Sequence, residues 1–201
     1  MVGKSKKEVK SMAKKKEYMF YGELEWLILD KKDSGKTLII AKEPVTYRNF
    51  HNKEGKVSWA ESEIRKFLNE EFLKTQFTVE EQSRICPVLL LHELDWPLNR
   101  EIQDAGKWTL DYLFLLSINE VIKYKLGKDY PFINEHGWWW TRSEGWHSDC
   151  IATVETKKRG IGAIYEHGME AYQNQYQPEE PQEPEAGVRP AMWIIPFASE
   201  R

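Results

Sequence analysis

Cysteine is scarce in this 201-residue chain, where Cys86 and Cys150 stand alone and far apart. That spacing supports neither a disulfide framework nor a CxxC metal or redox site, so two buried thiols are expected. Long hydrophobic runs are also missing. Val88 to Leu91 ends at His92, well short of the roughly 18 apolar residues that a membrane-spanning helix needs. The chain also lacks a glycine cluster, since Gly160-Ile161-Gly162 has no third glycine and no helix pattern after it, which excludes a phosphate-cradling loop. HExxH, GxSxG and EF-hand spacings are absent, as are Glu-Pro-Asn and Trp-Asn-Asp, the calcium-ligating signatures of sugar-binding lectins. No repeat recurs at solenoid or propeller periods. An excess of positive charge is lacking too: 29 Lys and Arg against 32 Asp and Glu leave a net charge of −3. Nothing in that balance drives the chain toward nucleic acid.

The basic residues that do cluster are Lys4, Lys6, Lys7, Lys10, Lys14, Lys15 and Lys16. No apolar stretch of a secretory signal follows them. Residues 1–17 are therefore expected to be a disordered basic tail on a cytoplasmic chain, and residues 18–201 a single α+β domain. Aromatics are plentiful, with nine Trp, nine Tyr and eight Phe. So many rings imply an aromatic core, a binding groove, or both.

Leu24–Leu29 and Thr37–Ala41 flank a polar stretch containing Gly35, which predicts two strands joined by a turn. Three capping boxes, Ser58-x-x-Glu61, Thr78-x-x-Glu81 and Ser117-x-x-Glu120, predict helices near 60–73, 79–86 and 118–126. Ile64, Phe67, Leu68 and Phe72 recur at helical spacing and place the first of these on the core. Tyr112–Leu116 reads as a buried strand, although periodicity alone does not separate it from a helix segment. Later strands are expected at Trp138–Arg142, Cys150–Val154, Gly162–Tyr165 and Val188–Ile195, with an exposed acidic, proline-rich loop at 173–186.

Five segments in order resemble a bacterial domain family of unknown function. They are Leu24-Glu25-Trp26-Leu27-Ile28-Leu29, Ser58 to Asn69, Asp111 to Ser117, Trp138-Trp139-Trp140-Thr141-Arg142-Ser143, and Gly187-Val188-Arg189-Pro190-Ala191-Met192-Trp193-Ile194. The sequence departs from the family pattern at Trp140-Thr141, where a leucine commonly precedes the arginine, and in its long acidic loop. The Trp-x-Arg-Ser and Gly-Val-Arg-Pro-Ala endings also look like those of C-type-lectin-like modules, including the formylglycine-generating type. That likeness implies a mixed β-core with two or three flanking helices and a ligand surface of C-terminal loops. Formylglycine-generating chemistry would need a reactive cysteine pair, and Cys150 has no cysteine nearby.

Trp146-His147-Ser148-Asp149-Cys150 gathers an imidazole, a carboxylate and a thiol. It is compatible with a metal or Cys-His site, or with an ordinary loop before a buried cysteine. In an extended strand residues 147 and 149 face one side and Cys150 the other, so no metal and no cofactor are expected. The residues placed on a ligand surface are Trp146, His147, Asp149, Tyr165, His167, Tyr172 and Tyr176. Arg65, Arg142 and Arg189, each near tryptophan or proline, are read as structural. In the triple tryptophan, Trp138 and Trp140 should share one face and Trp139 take the other, one facing the core and the other reaching a surface. The favoured reading is a non-catalytic module that binds a protein, peptide or glycan. The alternatives are a metal- or Cys/His-dependent hydrolase centred on His147, Asp149 and Cys150, with His167, and a structural subunit of a phage-like or envelope assembly.

Overall fold

A computed structural model describes residues 16–52, 58–91, 108–126, 138–145, 150–155, 160–165 and 186–197. The first sheet begins where aromatic and β-branched residues begin. It contains β1 (Tyr18–Tyr21), β2 (Leu24–Lys31), β3 (Thr37–Ala41), β5 (Ile85–Cys86) and β12 (Ala191–Ile194), in the order β1-β2-β3-β12-β5 and antiparallel throughout. The turn between β2 and β3 closes at Gly35, whose φ of +84° is open to glycine at little cost. All five residues of β3 are buried. That explains its unbroken Thr-Leu-Ile-Ile-Ala run, because a strand covered on both faces has no position for a solvated side chain.

The second sheet has the order β10-β9-β8-β11-β4, from β4 (Thr46–Arg48), β8 (Trp138–Glu144), β9 (Cys150–Glu155), β10 (Gly160–Tyr165) and β11 (Ala186–Val188). Its ladders are antiparallel except where β11 runs parallel to β8 at Gly187↔Trp139. A separate two-stranded ribbon pairs β6 (Val88–Leu90) with β7 (Thr109–Asp111). One hydrophobic core spans residues of both sheets and of the helices.

The helical part comprises α1 (Glu63–Lys66), a π-helical turn (Phe67–Phe72) and α2 (Leu73–Gln76), followed by α3 (Val79–Arg84) and α4 (Ile118–Lys123). Ile64, Leu68, Phe72 and Leu73 are buried. The capping boxes of Thr78 with Glu81 and of Ser117 with Glu120 form with both arms in place. At Ser58 the expected box does not form: Trp59–Glu61 is a 3-10 turn, and Ser62 caps α1 by accepting from the Arg65 N–H. Two helices are shorter than predicted. α3 ends at Arg84 because Ile85 and Cys86 pair with β12. α4 ends at Lys123, with Lys125 at a positive φ soon after.

Five other expectations are corrected. The predicted strand Val188–Ile195 is two strands in different sheets. Pro190 has no N–H to give a ladder, and the chain passes between the sheets at Arg189-Pro190. Tyr112–Leu116 is not a strand. Leu113 to Leu116 are buried, but apart from one bridge, Phe114↔Ala191, their backbone bonds go to side chains and to Arg142. Trp139 and Trp140 are both fully buried. The ladder is regular from Trp138↔Glu155 to Trp140↔Thr153, so the two indoles still face opposite sides and both sides of β8 are covered, Trp140 against Phe50 and Trp139 against Arg189; a bulge follows, where β8 advances four residues to Glu144↔Ile151 while β9 advances two. Cys86 is half-buried and free rather than a buried core thiol. The acidic loop ends before residue 186, since Ala186 opens β11 and is buried. Residues 1–15 of the predicted tail and 173–185 of that loop lie outside the described residues.

Candidate functional site

Three arginines tie together the elements of the described framework. Arg65 Nε donates to Asp111 Oδ1 at 2.7 Å, and Trp59 Nε1 and Thr109 Oγ1 donate to Asp111 Oδ2 at 2.9 and 2.6 Å. Asp111 is fully buried, and a carboxylate there is tolerated because three donors, one of them the Arg65 guanidinium, replace its water. Arg65 Nη1 also donates to the Ala60 carbonyl, so one side chain joins α1, the 3-10 turn and β7.

Arg142, at the β8 bulge, donates from Nη1 to the Leu115 carbonyl and pairs with the Glu120 carboxylate. Its backbone N–H donates to the Leu116 carbonyl at 3.1 Å. Glu120 also accepts from the Ser117 N–H, and the Ser143 hydroxyl accepts from the Ile118 N–H at 3.0 Å. The start of α4 is thus tied to β8 by both members of the Arg-Ser pair. Asn69, in the π turn, bonds the start of 112–116. Its Oδ1 accepts from the Tyr112 and Leu113 amides, and its Nδ2 donates to the Leu113 carbonyl. Buried backbone must be paired, and beside the one bridge from Phe114 to Ala191 of β12, asparagine and arginine take the place of a ladder here.

Arg189 sits at the passage between the sheets, fully buried. Its Nε and Nη2 both donate to the Ala41 carbonyl, at 3.1 and 2.9 Å. The guanidinium lies 4.8 Å from the Trp139 ring centroid, a cation–π contact. Ala41 N–H donates to the Pro190 carbonyl and Val45 N–H to the Val188 carbonyl, so two segments change sheets side by side. Gly187 is required at this crossing, because an added Cβ would lie 2.8 Å from Pro44 Cγ and 3.3 Å from the Trp138 carbonyl.

Of the residues read as ligand-binding, Tyr165 alone is described. It ends β10 opposite Cys150, the first residue of β9. Trp146, His147, Asp149, His167, Tyr172 and Tyr176 lie outside the described residues. The ladders still place their attachment points. Glu144 near the end of β8 faces Ile151, and Cys150 faces Tyr165. The segment carrying His147 and Asp149 and the segment after Tyr165 therefore both leave from the same end of the second sheet. Among the described residues, no group of three or more His, Cys, Asp or Glu is arranged to hold a metal ion. No helix among them is long and apolar enough to cross a membrane.

The sequence reading singled out the arginines but missed their acceptors. Asp111 was legible only as a carboxylate inside an otherwise apolar segment, and Glu120 only as the far arm of a capping box. Asn69 carried no signal of its own. Comparison with curated proteins and with solved structures gave no match. A family model, Domain of unknown function (DUF6273), matches residues 34–196, and the chain belongs to that family.

Proposed function

We propose that the chain is a non-catalytic recognition module that binds a protein, peptide or glycan through the loops at the β8–β9–β10 end of the second sheet. The observation that carries this reading is the register that puts Glu144, Cys150 and Tyr165 at one end, so that Trp146 and the Tyr172 and Tyr176 segment are attached side by side. Aromatic side chains on neighbouring loops give large contact area at small entropic cost. The framework beneath is suited to hold such loops, because β8 and the inner part of β9 are buried and Arg142 and Arg189 fix β8 and β11 to the rest. In this reading the fold is C-type-lectin-like, with ligand binding given to C-terminal loops and no calcium signature retained.

The test is binding of the full chain to immobilised glycan and peptide libraries, with Trp146→Ala and Tyr165→Ala beside the parent. Binding to one ligand class that falls at least about tenfold in both variants, at unchanged thermal stability, is expected. Absence of binding to either library, or one equivalent of zinc lost on His147→Ala together with hydrolytic activity, would sink the reading.

A further inference from the structure

The β6–β7 ribbon has two unlike faces. Leu90, Thr109 and Asp111 point inward and are buried, with Asp111 held by Arg65, Trp59 and Thr109. On the opposite face Leu89 lies directly across from Leu110, and they are 59% and 62% exposed. Leu91 and Trp108, each one step beyond the Leu90↔Thr109 pair, are 46% and 59% exposed, and Tyr112, two residues past Leu110, is 41% exposed. Alternation within the ribbon puts Leu89 and Leu110 on one side, and the exposed Leu91, Trp108 and Tyr112 flank them immediately beyond the strand ends. No charged residue is among them.

We infer that this face is the contact surface between two copies of the chain. Five large apolar side chains at these exposures present roughly 600 Å², the upper limit of what a monomer ordinarily leaves in water. Two such faces together would bury about 1,200 Å², the lower limit of a stable interface. Absence of charge also favours a second copy over a foreign partner. An apolar patch is complementary to itself under a two-fold axis, whereas a foreign partner is usually selected by opposite charge at the contact. A two-stranded ribbon is marginal by itself, and covering its outer face removes that weakness.

The experiment is sedimentation velocity of the full chain from low to high micromolar concentration. A reversible dimer is expected. Leu110→Glu and Leu89→Glu, each placing two carboxylates in the symmetric contact, should weaken it at least about 100-fold. Ile122→Glu, on the exposed side of α4, should leave it intact. Circular dichroism should match the parent in all three, and so should thermal midpoints taken at a concentration where the parent is monomeric, since the substituted side chains are then mostly solvated. A chain that stays monomeric throughout leaves the face to a different protein and overturns the inference. A dimer that survives both ribbon substitutions overturns it too.

Discussion

The first sheet is assembled largely from neighbours. β1, β2 and β3 follow one another with short turns, and only β5 and β12 come from far along the chain. The second sheet takes β4 from near residue 47, β8 from near 139 and β11 from near 187, and its β8–β11 contact is one parallel pair. Correspondingly, ladder bonds and a Leu/Ile interior dominate the first sheet, while the Arg142 side chain ties β8 of the second to the Leu115 carbonyl and to Glu120 of α4, and the Arg189 side chain ties the β11–β12 passage to the Ala41 carbonyl of β3 in the first. Local pairing needs little help because its loop-closure cost is small, whereas distant strands gain from bonds that fix their position.

Removing the fasteners is the strongest way to break this contrast. Arg189→Ala is expected to cost about 4 kcal/mol, from a lost charge-assisted pair of bonds and an unfilled volume beside Trp139. Arg142→Ala should cost about 3 kcal/mol, because Glu120 and the Leu115 carbonyl lose a buried partner. Urea unfolding gives both values. Amide exchange should show Arg142→Ala speeding exchange in β8 and α4 while β2 and β3 keep their protection. Equal loosening of both sheets would remove the distinction, and unchanged stability with lost ligand binding would make Arg142 a ligand residue.

A smaller effect is expected at the β1–β2 turn of the first sheet. Gly22 has a φ of +57°, and an added Cβ would lie 2.4 Å from the Phe77 ring. Gly22→Ala should cost about 2 kcal/mol in thermal or urea unfolding. A neutral result would mean that the Phe77 ring turns aside and the turn relaxes.

The mildest effect concerns acid. Burial opposes ionisation of Glu81, yet bonds from the Thr78 N–H and hydroxyl and from the Gly22 N–H hold its carboxyl below the usual 4.5. Its folded value is lowered, so its stabilisation is present above pH 4.5 and is lost as pH falls through the folded value. The Tyr21 hydroxyl donates to the Glu81 carbonyl at 2.6 Å, and burial with the charge of Glu81 pushes that phenol up to about 12. In Glu81→Gln the stability of the first sheet should fall less steeply below pH 4.5. An unchanged acid limb by pH-dependent urea unfolding would remove Glu81 as a contributor.

Where bonding is local, the sequence was a good guide. The Gly35 turn, two of three capping boxes and the Ile64–Leu68–Phe72 stripe each depend on residues within one or two turns of chain, and each stands in the structure. Ser58 failed because Ser62 offers the same hydroxyl one turn later, and the 3-10 turn of Trp59 brings its indole to Asp111.

By itself, then, the amino-acid sequence determined that the chain mixes strands and helices around an aromatic-rich core, with arginines near tryptophans. Tertiary structure alone decided that Val188–Ile195 divides between two sheets, that 112–116 is bonded by Asn69, by Arg142 and by a single bridge to β12 rather than along a ladder, and that Trp139 and Trp140 are both interior. The physical reason is that hydrophobic periodicity reports which residues leave water. It does not report which distant backbone carbonyl a buried guanidinium or carboxamide will meet, and those meetings set the sheet order here.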